Sequence, residues 1–283
     1  MFIWGTLGMF VLWSGLPMMD IAWSRCLIGG VVLAIFCYQQ GLFKFERAHL
    51  KEVMLTIFSG IFLVLNWVLL FESFKYASIT IGNVSYYLQP IFLVILGIFC
   101  FKEKVVFSKW VLIFLSFIGV ILTTGLLFNH AGSAHGIIQP NERHLLIGVS
   151  CAVLAGILYA LVTIIAKPIR HIPSPMVTLI QLMTGAVLLL PWVSYKLLAS
   201  IQWQAGFYLI LMGIVHTALA YMLYYNGIKK VSVTTIAVLS HIDPVVAIGT
   251  DILFFHQHLD LLQITGILIT LISSYLVIAM RSK

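Results

Sequence analysis

Ser240-His241-Ile242-Asp243-Pro244 lies in the middle of an otherwise apolar run from Val231 to Phe255. A carboxylate, an imidazole and a proline are a poor way to cross a bilayer. Aspartate at the centre of a membrane helix costs about 2.5–3.5 kcal/mol on insertion scales, so such residues face a bundle interior or a wet cavity. Pro244 also removes one backbone donor and frees a carbonyl one turn earlier, near Ser240. The same pattern occurs earlier as Tyr86-Tyr87-Leu88-Gln89-Pro90, with Gln89 where the later copy has Asp243.

Composition fixes the class. Of 283 residues, 61% are hydrophobic and 9% charged, whereas an average soluble domain is about 25% charged. Apolar runs continue almost to the last residue, which excludes a signal peptide followed by a globular domain. The chain is a polytopic helical membrane protein. Its formal charge of +7 is spread over short loops, so no nucleic acid is expected as partner. Cys26, Cys37, Cys100 and Cys151 fall within apolar runs and read as small buried hydrophobes. His130, His135, His144, His256 and His258 show no ligand spacing, so neither a metal nor another cofactor is expected.

Ten spans of membrane-crossing length follow, over about 2–17, 19–38, 52–74, 78–101, 107–128, 145–167, 174–195, 205–228, 232–255 and 260–280. The first begins almost at Met1, so it either starts capped by water or continues from an upstream lead. With a cytoplasmic N-terminus, twelve of the basic residues lie in inner loops and tails and three, Lys75, Arg143 and Lys196, lie outside. Positive charge is retained on the cytoplasmic side, so both termini are expected there, in a bacterial-type cytoplasmic membrane.

Sliding the chain against itself by 154 residues brings Pro90 onto Pro244, Lys75 onto Lys229, Ser78 onto Ser232, Thr80 onto Thr234 and Phe101 onto Phe255. With slight slippage Trp4-Gly5 matches Tyr159-Ala160, and Gly29 matches Gly185. Five helices per half is an odd number, so the second copy must be inverted. The expected architecture is all-α: ten transmembrane helices as two inverted five-helix repeats. These are residues 1–128 and 145–283, joined by an outer linker over 129–144. Inverted repeats recur in secondary transporters, with the site near the midplane at interrupted helices.

The motifs in order are Trp4-Gly5, Arg25, Gly29-Gly30, Asn66-Trp67, Lys75-Tyr76-Ala77-Ser78, Tyr87-Leu88-Gln89-Pro90 and Phe101-Lys102-Glu103-Lys104. Together they resemble the EamA branch of the drug/metabolite transporter superfamily, over essentially the whole chain. That resemblance implies ten helices, an alternating-access carrier and a cavity lined by the first four helices of each repeat, with the fifth and tenth peripheral. Many relatives of this branch export their solutes and some import them. One departure is Gln257 where the repeat of Glu103 would carry an acid, which leaves a cap at that outer helix end absent or taken over by His256 and His258.

Candidate substrate-binding residues follow from depth and helix geometry. Asn83, Tyr86, Tyr87 and Pro90 share one face at i, i+3, i+4 and i+7. Trp67 and Tyr221 occupy equivalent repeat positions and suit an aromatic pair flanking a cavity. Trp4, Asn66, His216, Tyr224 and Ser240 complete the set. The bland alternative is helix packing, with hydroxyls bonding the carbonyls that the prolines release. Asp243 is the leading candidate for ion coupling and His241 the second, because an ideal helix turns them about 200° apart. Pro90 and Pro244 read as kinks. Arg25 most economically pairs with a carboxylate among Asp20, Glu72 and Asp251, or caps carbonyls. Recognition of a substrate carboxylate through its planar fork is the alternative.

The function expected from these features is secondary transport of small organic metabolites by rocking of the repeats, with export of amino acids or related amphipathic compounds as first choice. A proton is the expected coupling ion if there is one, lipid surrounds the chain, and the protein is a monomer or homodimer. Import of a cationic or aromatic compound, or a channel, are the competing readings. A membrane-embedded enzyme is disfavoured, since no P-loop, HExxH or nucleophile–base motif is present. Fusing a fluorescent protein that matures only in the cytoplasm to Lys283 tests the topology: bright cells are expected, and dark cells with high expression contradict it.

Overall fold

A polypeptide in hydrocarbon has to satisfy its own backbone hydrogen bonds, which leaves helices or a closed barrel. In the computed structural model, residues 1–43, 50–77, 79–123, 142–195, 201–255 and 261–280 are described, and every regular element among them is helical. Seven helices are long and apolar enough to cross a membrane, and three shorter apolar helices cover 2–14, 107–122 and 261–277. The expectations for most of the 129–144 linker and for His256, Gln257 and His258 lie outside the described residues, as does the Asp251 side chain.

In chain order the elements are α1 (Phe2–Gly5), α2 (Leu7–Ser14), α3 (Met18–Gln39), α4 (Leu50–Tyr76), α5 (Ile79–Tyr86), α6 (Gln89–Phe101) and α7 (Phe107–Thr123). Then come α8 (Glu142–Ala166), α9 (Ser174–Leu189), α10 (Trp203–Leu211), a π-helical segment (Met212–Leu219), α11 (Ala220–Ile228), α12 (Val233–Ser240), α13 (Ile242–Phe255) and α14 (Leu261–Ala279). They form two compact units. One holds Met1–Gly5, Val68–Ala160 and Ser232–Lys283; the other holds Thr6–Trp67 and Leu161–Val231. Each unit therefore draws on both halves of the sequence.

Three expected spans are interrupted where hydropathy alone predicts continuous helices. The first breaks at Thr6, the fourth at Tyr87-Leu88 and the ninth at His241. At the second and third breaks the backbone tightens to i→i−3 bonding, with Leu88 N donating to Ser85 O at 3.3 Å and His241 N to Val238 O at 3.1 Å. Pro90 and Pro244 thus lie in the first turns of α6 and α13, where the missing N–H is an orphan in any helix and costs little. They begin half-helices rather than kink whole ones.

In the first unit, α6 ends with Lys102 in the left-handed region at φ 54°. That turn delivers Glu103 to the start of α12. Its Oε1 accepts the Val233 N–H at 2.9 Å and its Oε2 the Thr234 hydroxyl at 3.4 Å. Ser232 caps the same end, accepting from Thr235 N at 3.2 Å. A carboxylate suits the positive end of the helix dipole. In the second unit, Lys167 gives the complementary cap, donating to Ile228 O at 2.9 Å at the end of α11. The glycines that the repeat matches sit at close crossings, Gly29 on α3 against the π-helical segment and Gly185 on α9 against α3. A Cβ on Gly29 would stand 2.9 Å from Gly213 O, and one on Gly185 2.9 Å from Cys26 Sγ.

Replacing Glu103 by alanine should lower unfolding stability by about 1 kcal/mol. Thermal denaturation of the purified protein in detergent measures this, and an unchanged midpoint would remove the capping role.

Candidate functional site

The candidate residues gather into one polar cluster in each unit, and each cluster surrounds an irregular stretch of helix.

In the first unit the centre is the pair of breaks around residues 87–90 and 241–244. Asp243 opens α13, in its first turn. A Cβ on Gly5 would stand 2.7 Å from the Asp243 carbonyl and 2.6 Å from Val246 Cβ, so α1 packs directly onto this turn. The Asp243 carboxylate has no hydrogen-bond partner among the described residues, and its Oδ1 is enclosed. It is an electrostatic neighbour of the Tyr87 phenol. Gln89, which the repeat places opposite Asp243, is also buried, with Nε2 enclosed and unpartnered. Tyr86 stands 6.4 Å, ring to ring, from both Tyr87 and Tyr159.

His241 belongs to another environment. It is fully buried, with Nδ1 2.8 Å from Ser116 Oγ on α7, and it lies against the Tyr87 backbone. The Ser116 hydroxyl also reaches Ile113 O at 2.8 Å. The imidazole thus bridges the break and α7 through Nδ1, and its Nε2 is enclosed without a hydrogen-bond partner. Ser240 directs its hydroxyl to its own helix, at Ile236 O, 3.0 Å away. Asn83 is half-buried and its carbonyl accepts from Tyr87 N at 2.9 Å.

In the second unit the centre is the π-helical segment. A π turn shifts the bonding register, and Thr217 caps the result by donating to Met212 O at 3.0 Å. Thr217 Oγ1 also accepts from Arg25 Nε at 2.9 Å. The Arg25 guanidinium lies over Trp67, 4.9 Å from its ring centroid. Trp67 and Tyr221 are adjacent at 6.3 Å, and Tyr221 stacks on Tyr225 at 5.9 Å. His216 Nε2 bonds Thr6 Oγ1 at 2.9 Å, at the break between α1 and α2, with Phe10 edge-on at 5.1 Å. Tyr224 bonds Thr163 at 2.7 Å. Asn66 is buried, and Trp4 in the first unit is half-buried.

Arg25 is expected to pair with Asp20, Glu72 or Asp251; the first two are engaged elsewhere, and the side chain of the third lies outside the described residues. Asp20 accepts the Ser194 backbone N–H at 2.8 Å, and Glu72 pairs with Lys75 three residues on, at 2.5 Å. Both carboxylates find nearer donors, and Arg25 is held by a hydroxyl and an aromatic face. Thr6, Thr217, Ser116 and Gln89 are the residues that helix-face reasoning missed. Only Gln89 had a signal, its repeat match to Asp243. A separate groove of about 530 Å³ in the second unit is lined by apolar residues such as Ile57, Met176 and Met183, and suits acyl chains rather than a polar solute.

The EamA-like transporter profile matches residues 1–125 and 146–279. The chain belongs to the EamA-like transporter family. Among similar proteins, the uncharacterized transporter YxxF of Bacillus subtilis (strain 168) is 30% identical over 94% of this chain and 83% of its own. Protein RarD of Streptomyces exfoliatus is 23% identical over 84% and 70% of the respective chains. A solved crystal structure shares the fold at a TM-score of 0.77 and 15% identity, over 99% of this chain and 95% of that one.

Two serines separate the roles. Ser116→Ala should destabilise the protein by about 1–3 kcal/mol by orphaning the buried His241. Ser240→Ala should leave both stability and solute affinity unchanged, and a change in affinity would return Ser240 to the binding set.

Proposed function

We propose that this EamA-like transporter is a secondary carrier of small organic metabolites, working by alternating access in the cytoplasmic membrane and exporting amino acids or related amphipathic compounds. In this reading the chain crosses ten times as two inverted five-helix repeats with both termini cytoplasmic. The observation that carries it is the pair of interrupted helices at repeat-matched positions, with an enclosed, unpartnered carboxylate at the second. Broken helices at membrane depth are tolerated where they line a protein or water-filled interior, and carriers place their sites at such breaks. The match of Gly29 to Gly185, both at close helix crossings, supports the repeat.

Asp243 is the coupling group in this mechanism. Among the described residues it has no hydrogen-bond partner, it begins a half-helix, and the Tyr87 phenol and the Met1 ammonium are its electrostatic neighbours. A carboxylate that loses and regains a proton as the cavity changes sides links solute movement to the proton gradient. Gln89, neutral at the matched position, holds a place in the cavity without titrating. Trp67 and Tyr221 give an aromatic wall for the apolar part of the solute.

Asp243→Asn should abolish flux driven by a pH gradient in proteoliposomes while leaving solute exchange intact. Driven flux at the level of the unmodified protein would rule the coupling role out.

A further inference from the structure

We propose that Arg25 recognises a carboxylate on the transported solute, so that the solute is a small organic acid or zwitterion with a flat or apolar body. This rests on the transport reading above and adds the chemistry of one end of the ligand.

Arg25 is 5% exposed. Among the described residues its hydrogen bond is from Nε to Thr217, and Thr217 itself donates to Met212 O in the π-helical segment. That bond holds the plane of the guanidinium and leaves the two terminal nitrogens for other work. None of the described carboxylates serves them. Asp20 is on Ser194 N, Glu52 on His171, Glu72 on Lys75 and Glu103 on α12. The Asp243 Oδ1 has no hydrogen-bond partner among the described residues, and the electrostatic neighbours of this carboxylate are the Met1 ammonium and the Tyr87 phenol.

A guanidinium taken out of water without a counter-charge carries a large desolvation penalty. The Trp67 face at 4.9 Å offsets only part of it. A carboxylate meeting the terminal nitrogens in two parallel N–H···O bonds supplies the missing charge in the geometry arginine favours. Around this point stand the buried rings of Trp67, Tyr221 and Tyr225 and the buried Asn66, so a solute that reaches the guanidinium has aromatic surroundings. With no lysine or second arginine as its electrostatic neighbour among the described residues, a single guanidinium suits one negative charge better than the two of a phosphate ester.

The test uses binding to the purified protein in nanodiscs, read by tryptophan fluorescence. The probes are phenylacetate, L-phenylalanine, phenethylamine, methyl phenylacetate and phenyl phosphate. Phenylacetate and L-phenylalanine should bind at least about tenfold more tightly than phenethylamine or the methyl ester, and Arg25→Gln should remove the difference. Because the ester arm needs no variant, a poorly folding Arg25→Gln does not block the test. Equal binding of ester and acid, tighter binding of phenyl phosphate, failure of both carboxylate probes to bind, or unchanged phenylacetate affinity in Arg25→Gln each overturns the proposal. Counterflow of labelled L-phenylalanine separates it from the transport reading. Carboxylate-dependent binding without counterflow removes the carrier and keeps the site, whereas counterflow that ignores the carboxylate and Arg25→Gln does the reverse.

Discussion

Everything in this protein answers to one constraint: backbone N–H and C=O groups inside a membrane need partners from the chain itself. Continuous helices meet it automatically. The three interrupted helices and the π-helical segment do not, and each of them has acquired a polar neighbour. Thr217 caps the carbonyl displaced by the π turn, His216 reaches the Thr6 break, and His241 sits between the α12–α13 break and Ser116. Several of the polar side chains that look anomalous in so apolar a sequence sit where the regular helix fails.

That pattern also separates two kinds of polar residue. Those that repair the backbone, such as Ser240 and Thr217, are saturated by protein partners, while His241 bonds Ser116 through Nδ1 and keeps Nε2 enclosed without a partner. Asp243 and Gln89 retain enclosed atoms without partners, and Arg25 holds a charge that no described carboxylate balances. In a low-dielectric interior such groups cost free energy, and a fold keeps them where a ligand or a proton completes them. The functional reading attaches to Asp243 and Arg25, whose charge makes an unsatisfied site most costly, and not to every polar residue.

Much of this was legible in the sequence. Hydropathy located the helices, because a span of about 20 apolar residues has few alternatives. The matched prolines pointed to the two breaks, and the 154-residue repeat placed Trp67 beside Tyr221. What escaped was set by long-range contacts. Whether Pro90 kinks a helix or begins one depends on i→i−3 bonding at Leu88, which leaves no trace in hydropathy. Glu103 caps a helix 130 residues away, reached through a left-handed Lys102 that composition does not announce. The π-helical segment reads as ordinary helix until Thr217 and Arg25 are seen together. Asp20 looked like a partner for Arg25 because both lie on α3, yet Ser194 N lies closer to its carboxylate.

The central claim is that the broken helices serve a carrier rather than a pore. Recording from planar bilayers containing the purified protein, with amino acids on both sides, addresses it most directly alongside labelled-solute exchange across proteoliposomes. The account predicts saturable exchange accelerated by solute on the opposite side, with no unitary conductance. An ohmic current with stepwise openings and no such acceleration would contradict it.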